Sequence, residues 1–333
     1  MIDVREATKL ISSEIINWRR ELHQFPEIGL ELPQTAKYVS DQLTKMQVKH
    51  ETGIAKSGIV GLIEGAMPGK KRTIGIRADM DGLPIQEKTG LPYQSKNKNM
   101  HACGHDGHTA MLLGAAKILN ANKDLFSGNV KLIFQPAEEG PGGAKPMIEE
   151  GVLDNPKVDC MMGLHLNAVI PELKSGGIAI CEGPVMPSAD IFTIKIKGRA
   201  GHGGAPHLTV DPIVISAQVI TALQTIISRE LKPMNAAVIS IGKISGGTVF
   251  NAIPDEVIMK GTVRAIEKED QKRIQQRIKE IVEGVTRTMQ GDYELQYDFG
   301  YPALINEKKI TDHVTRSAAK IIGDEMIHVI KKQ

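Results

Sequence analysis

KRTIGIRADMD (71–81), DGHTAMLLGAAKILNAN (106–122) and NVKLIFQPAEEG (129–140) read in order as strand, helix and strand. The first and third are short apolar runs that end in acids, as expected of strands buried on both faces. The middle stretch is dominated by Ala, Leu and Met, which favour a helix. Upstream, SGIVGLIEG (57–65) repeats the strand pattern, and downstream so does VDCMMGLHL (158–166). GGAKPMIEEG (142–151) between them reads as a short helix closed by glycine. The first 48 residues are helical, with Ile11, Ile15, Ile16 and Leu22 near a 3.6 period until Pro26, and a second helix around Pro33–Met46. This alternation predicts the α/β class, with a mostly parallel sheet flanked by helices.

The character changes after Pro184 and Pro187. In ADIFTIKIKGRAG (189–201), Phe192, Ile194 and Ile196 alternate with Thr193, Lys195 and Lys197, which gives a sheet with one wet face. A helix (Pro212–Arg229), two strands (Ala236–Ile244, Glu256–Val263), a helix (Lys268–Gln290) and a strand (Tyr293–Gly300) follow. That β-α-β-β-α-β order predicts an inserted ferredoxin-like α+β domain. The expected division is therefore 1–186 with 300–333 for the first domain and 187–299 for the insert, and a helix returns at 306–323.

The 333 residues carry 41 Lys+Arg against 39 Asp+Glu, so net charge gives no reason to expect nucleic acid or an anionic membrane as partner. Aromatics make up 4%, too few for base-stacking platforms to be the main business. Three cysteines cannot build a disulfide framework and fit a reducing compartment. The charged N-terminus lacks the apolar core of a signal peptide, and IVISAQVITALQTII (213–227) is broken by Ser, Gln and Thr at helical spacing. No membrane span and a cytoplasmic location are the expectation.

The residues that carry chemistry cluster. His101, Cys103, His105, Asp106 and His108 fall in MHACGHDGH on a loop running into a helix. Asp79 and Asp81 end one expected strand, Glu138 and Glu139 follow another, and His165 sits in a third. Open α/β sheets build sites beyond the C-terminal strand ends, so these groups are expected to converge. Singly, His165 would be a hydrogen-bonded core histidine, Cys103 a small buried hydrophobe, the glutamates a solvated pair and the aspartates caps. Together, imidazole, thiolate and carboxylate suit a divalent first-row ion such as Zn, Mn, Co or Ni. A structural zinc site would show paired knuckles, and it has no use for an adjacent spare glutamate. The chemistry expected is metal-assisted hydrolysis, with one carboxylate left free to shuttle protons.

RRELHQFPEIGLEL (19–32), IRADMDGLPIQEKTGLPYQSKNKNMHACGHDGHTAMLLGAAKIL (76–119), LIFQPAEEGPGGAKPMIEEG (132–151), GLHL (163–166), GRAGHGGAPHLTVDPI (198–213) and NAIPDEVIMKGTVR (251–264) resemble the M20 metallopeptidase clan. They most resemble its amidohydrolase branch, which includes N-acyl-amino-acid amidohydrolases, hippurate hydrolases, N-acetyl-diaminopimelate deacetylases and auxin-conjugate hydrolases. The resemblance implies a catalytic domain with an inserted dimerisation (lid) domain and hydrolysis of the amide of an N-acyl amino acid or small peptide-like substrate. It implies Cys103, His105, Glu139 and His165 as metal ligands, Glu138 as general base, and Asp79 as an acid that orients a ligand. It further implies that His202 helps hold the oxyanion, often across a homodimer, and that Asn251 and Arg264 grip the substrate. In the family two metals are held per subunit and a later segment adds one more histidine, whereas the histidines after His207 here are His313 and His328. The expectation is accordingly one tightly bound ion or fewer, low activity, and a helix at 306–323 without strands to pack on. The alternative is a non-catalytic remnant that dimerises through the insert.

Overall fold

The computed structural model describes residues 2–166, 170 and 173–330. Two compact units divide it, Met1–Lys174 and Ser175–Gln333.

In the first unit, α1 (Val4–Leu22) starts where the Asp3 side chain accepts the Glu6 N–H. α2 (Pro33–Lys45) has proline at its start, and its cap comes from Glu27, which accepts the Gln34 and Thr35 amides. Then follow β1 (Lys49–Ile54), β2 (Gly58–Glu64), β3 (Thr73–Asp79), α3 (His105–Ala121), β4 (Asn129–Gln135), α4 (Ala144–Glu149) and β5 (Cys160–Gly163). The sheet order is β1-β2-β4-β3-β5. β4 is buried along its whole length, and parallel β3 beside it pairs with parallel β5.

The sheet is mixed: β2 runs antiparallel to both β1 and β4. Its pairing with β1 follows from a tight turn at Ala55 and Lys56, both with positive φ, which is too short for a crossover. β1 is an edge strand with mostly exposed residues, so it has no apolar run by which the sequence could announce it. Trp18, Leu32, Val39, Leu43, Ile59, Ile63, Leu113, Leu132 and Phe134 form the core between helices and sheet. Each such side chain contributes about 1.5–3 kcal/mol on full burial.

The registers place the site. Asp79 on β3 lies opposite Gln135 on β4, and Arg77 lies opposite Gly163 on β5. The three parallel strands therefore end side by side. The chain leaves them as Met80–Asp81, Pro136–Glu139 and Leu164–Leu166, with the start of α3 close by.

The second unit contains β6 (Ile178–Ile180), β7 (Gly183–Met186), β8 (Asp190–Lys197), β9 (Gly201–His202), α5 (Pro212–Thr225), β10 (Ala237–Gly246), β11 (Ala252–Ile253), β12 (Glu256–Ala265), α6 (Lys268–Thr288), β13 (Asp292–Asp298), β14 (Leu304–Asn306), α7 (Lys308–Ile322) and β15 (Ile327–Val329). Its main sheet runs β10-β12-β8-β13, antiparallel at every pairing, which is the ferredoxin-like order. Phe192, Ile194, Ile196, Val219, Leu223, Ile274, Ile278 and Val282 pack between that sheet and α5 and α6. Pro212–Glu230 is long and apolar enough to cross a membrane by length and composition, but Ile215, Val219, Leu223 and Ile226 are in this core. It is the core helix that the Ser, Gln and Thr spacing suggested.

One expectation is corrected here. The helix at 306–323 does not lack strands: β15 pairs in parallel with β6, and α7 packs on both. The apolar alternation of Ile327–Val329, three residues long, is too short to register as a strand in the sequence.

Candidate active site

The first turn of α3 is set by Gly104, which adopts φ +87 and receives the Gly107 and His108 amides on its carbonyl. A left-handed residue there favours glycine, and it turns the HACGH loop so that His105 opens the helix with its ring inside. The imidazole of His105 is fully buried; its Nδ1 lies 3.3 Å from the Asp81 carboxylate, and its Nε2 has no hydrogen-bond partner among the described residues. Buried polar atoms are normally satisfied, so an unpartnered buried imidazole nitrogen calls for a missing ligand.

The surroundings supply one. Donor atoms of Cys103, His105 and His165 lie within 4.8 Å of one another, as do those of His105, Glu138 and Glu139. Cys103 Sγ is 3.4 Å from His165 Nε2. His105 Nε2 is 4.0 Å from both the Glu138 and Glu139 carboxylates. Sulfur, nitrogen and carboxylate oxygen thus converge around a ring with a free lone pair, a donor set that fits a divalent ion of the zinc class. The four residues read from the sequence as ligands, and the adjacent Glu138, come together.

Charge is distributed unevenly over this group. Burial and the neighbouring Glu139 push the Glu138 carboxyl above the usual carboxylate range. Burial, and a hydrogen bond with Glu139, push the Cys103 thiol up to about 12. Burial depresses the His105 imidazolium, but Asp81 and Asp79 outweigh it and the net direction is upward. Burial would raise Asp79 too, yet the His108 hydrogen bond and Arg77 bring it down to about 2. In the metal-free protein a protonated thiol and a carboxyl of raised pKa therefore sit beside a fully ionised Asp79.

Asp79 and Asp81 divide their contacts in a way the sequence did not reveal. Asp79 accepts from His108 Nδ1 at 2.5 Å and pairs with Arg77 at 2.7 Å, standing 3.6 Å from His105 Nε2. Asp81 accepts the Glu138 amide at 2.9 Å and the Glu139 amide at 3.0 Å, with His105 Nδ1 3.3 Å away. One carboxylate thus holds the loop that presents both glutamates. The turn it clamps begins at Ala137, a non-glycine residue at φ +54. The two aspartates are alike in sequence, and only the register of β3 against β4 decides which reaches the glutamate loop.

His202, Asn251 and Arg264 belong to the second unit. β9 pairs with β11, with His202 opposite Ala252, so His202 and Asn251 meet at one corner. The Asn251 carbonyl accepts the Gly203 amide at 2.9 Å, and His202 Nδ1 accepts the Gly204 amide at 3.0 Å. Both residues are exposed. Arg264 lies on β12 opposite Val238 and turns its guanidinium back onto Thr262 and the Val263 carbonyl.

An α/β strand-end cluster of thiol, imidazoles and paired glutamates around the buried His105 defines a metal-dependent hydrolase. The profile of peptidase family M20/M25/M40 matches residues 75–333, and the chain belongs to that family. It is 42% identical over 324 residues to thermostable carboxypeptidase 1 of Saccharolobus solfataricus, covering 96% of this chain and 80% of the relative. It is 40% identical over 306 residues to the N-acyl-L-amino acid amidohydrolase of Geobacillus stearothermophilus, covering 91% and 81%. Among solved structures, a dinuclear metal-binding M20 peptidase from Bacillus subtilis superposes with a TM-score of 0.81 at 34% identity, covering 98% of this chain and 83% of that one. The protein is a metallo-amidohydrolase that uses divalent metal, and the non-catalytic alternative is not favoured.

Proposed function

We propose that the substrate is an N-acyl amino acid or a small peptide-like amide, cleaved to a carboxylate and a free amino acid. The observation that carries this is Glu138: a half-exposed carboxylate of raised pKa, next to the ligand group, held by its own amide to Asp81. A general base works best when its pKa lies near the operating pH. Cys103, His105, Glu139 and His165 would hold a divalent ion, which when bound would supply polarisation of the acyl carbonyl and acidification of water. Mn, Zn, Co and Ni all suit that mixed donor set.

Glu138 takes the proton from the attacking water and delivers it to the amine nitrogen as the C–N bond breaks. Asp79 and Asp81 keep the ligands oriented, Asp81 through the glutamate amides. His202 donates to the developing oxyanion, and its Nε2 is free to do so because Nδ1 accepts from Gly204. Arg264 grips the free carboxylate as a planar fork, and Asn251 binds the substrate beside His202. Residues 187–299 act as lid and dimerisation domain, with His202 serving the partner's site. Support for pairing comes from β10, an edge strand whose Val238 and Ile244 are exposed. A count of three cysteines, too few for a disulfide framework, supports a reducing, cytoplasmic setting.

The test is a hydrolysis screen of N-acetyl, N-benzoyl and indole-acyl amino acids with Mn, Co, Ni and Zn added separately. Turnover of at least one class with at least one ion is expected. Absence of turnover with every pair would sink the substrate assignment.

A further inference from the structure

The first turn of α3 carries a residue that the ligand set does not use. His108 is 2% exposed, and both its ring nitrogens are committed. Nε2 is 2.8 Å from the Leu166 amide, and Nδ1 is 2.5 Å from Asp79 Oδ1. A backbone N–H can only donate, so Nε2 holds the lone pair and the proton sits on Nδ1. The ring is neutral, in one tautomer, and donates to a carboxylate that Arg77 holds from the other side at 2.7 Å. His108, Asp79 and His105 come within 4.8 Å of one another, but neither nitrogen of His108 is left over for an ion.

What His108 grips is the residue after His165. Leu166 also seats its side chain on the same turn: a Cβ at Gly107 would come within 2.5 Å of Leu166 Cδ1, and one at Gly104 within 3.3 Å. The Leu166 carbonyl takes His165 Nδ1 at 2.5 Å, which leaves Nε2 facing Cys103. This segment lies past the last β5 pairing, Arg77 with Gly163, so the sheet does not hold it. His165 is itself exposed.

We propose that His108 is the positioning residue for His165, docking the Leu164–Leu166 segment on the glycine seat of α3 so that His165 Nε2 is set beside Cys103. Arg77, Asp79 and His108 form the chain of contacts that locks the dock. The proposal rests on reading His165 as a ligand. Ordering a free segment costs conformational entropy that binding would otherwise have to meet.

The experiment titrates the metal-free full chain with Co²⁺ alone and reads the visible and thiolate-to-cobalt absorption bands. His108→Asn keeps an amide near the Nδ1 position to donate to Asp79 but is too short for Leu166. His108→Gln places an amide oxygen near the Nε2 position, within reach of the Leu166 N–H. We expect the Asn variant to lose about 10–100-fold in Co²⁺ affinity, as outer partners of ligands typically do, and the Gln variant to stay near the parent. Parent-like affinity in the Asn variant, or weaker binding by Gln than by Asn, overturns the proposal, because then only the Asp79 contact counts. Gly107→Ala leaves His108 and Asp79 untouched and meets only Leu166. It should weaken Co²⁺ binding in the same way, and it decides the matter if the His108 variants do not fold. His165→Ala separates the two readings: undiminished Co²⁺ binding there removes the ligand assignment itself. Weakened binding there with parent-like His108→Asn removes only the role of His108.

Discussion

The strand ends of the first unit and the β9–β11 corner of the second carry polar residues under opposite conditions. Around His105 the groups are dry and cross-held: Asp81 takes two amides, Asp79 takes His108 and Arg77, and Asp106 takes His23 and Arg19. At the corner, His202 and Asn251 are exposed and kept in place by two backbone contacts with neighbouring glycines. Groups locked by many partners in a dry setting are pre-organised before any ligand arrives, which is where electrostatic catalysis gains most. An exposed corner gains its strength only when something covers it. The first region should therefore work as a unit, and the second should fail without harming the fold or metal binding.

Glu138→Ala gives the largest effect. The base is removed while Cys103, His105, Glu139 and His165 remain, so turnover should fall by about 10²–10⁴-fold with metal content unchanged. Metal analysis beside steady-state kinetics checks both halves. Near-parent turnover would reverse the assignment of the two glutamates.

His202→Ala should lower kcat by about 10²–10³-fold, the usual cost of one oxyanion donor, with the unfolding midpoint and metal content of the parent. Mixing it with Glu138→Ala chains should restore part of the activity if His202 acts across a dimer, since one hybrid site keeps both residues. A strictly monomeric protein by light scattering, or no recovery on mixing, would confine His202 to its own chain.

The contrast also explains what could be read from the sequence. MHACGHDGH, PAEEG and GLHL display their chemistry in residue types, so a cluster of candidate donors could be read without coordinates. The ferredoxin-like insert was legible because amphipathic alternation in β8 and β12 survives as a pattern of residues. Asp81 was visible as an acid but not as the clamp on Glu138 and Glu139, because that depends on the β3–β4 register. His108 looked like one more member of a histidine cluster, and its grip on Leu166 spans 58 positions. β1 and β15 were missed for a simpler reason: an exposed edge strand and a three-residue strand bury too little to leave a periodic trace.

Metal affinity should depend on pH through Cys103. Its thiol is pushed up to about 12 without metal, so at neutral pH it is protonated and binding as thiolate must release that proton. Affinity should then rise by about tenfold per pH unit from this group, as one proton is displaced per ion. Calorimetry of Co²⁺ binding in buffers of different ionisation enthalpy counts the protons. A Cys103→Ser variant should bind more weakly and release one proton fewer. Equal proton release in parent and variant would take Cys103 out of the ligand set.

The smallest effect is on stability, and it comes from behind the site. His23 is 3% exposed, with Nδ1 2.7 Å from Asp106 and Nε2 3.3 Å from Glu87, both buried carboxylates. The Asp106 hydrogen bond raises the His23 pKa against the lowering effect of burial, and Glu87 adds to the rise. A histidine whose folded pKa is raised contributes stability that is fully present below its unfolded value, about 6.5, and is lost as pH climbs through the folded value. Asp106 has the opposite sign: burial raises it, but His23, His101 and Arg19 bring it below the ordinary range, so its contribution is lost as pH falls through acid values. Between these limits the His23–Asp106 pair contributes most at mildly acidic pH, and its contribution to the unfolding midpoint should fall on the alkaline side. His23→Gln retains hydrogen bonding but not the charge, so the alkaline slope should flatten. The variant should lose about 1–3 kcal/mol at pH 6, less than a fully unpaired buried charge costs, because Arg19 still holds Asp106 at 2.9 Å. Thermal melts of parent and variant from pH 5.5 to 9 give the comparison, and two parallel curves would show that His23 is neutral throughout and that its two carboxylates are balanced by other groups.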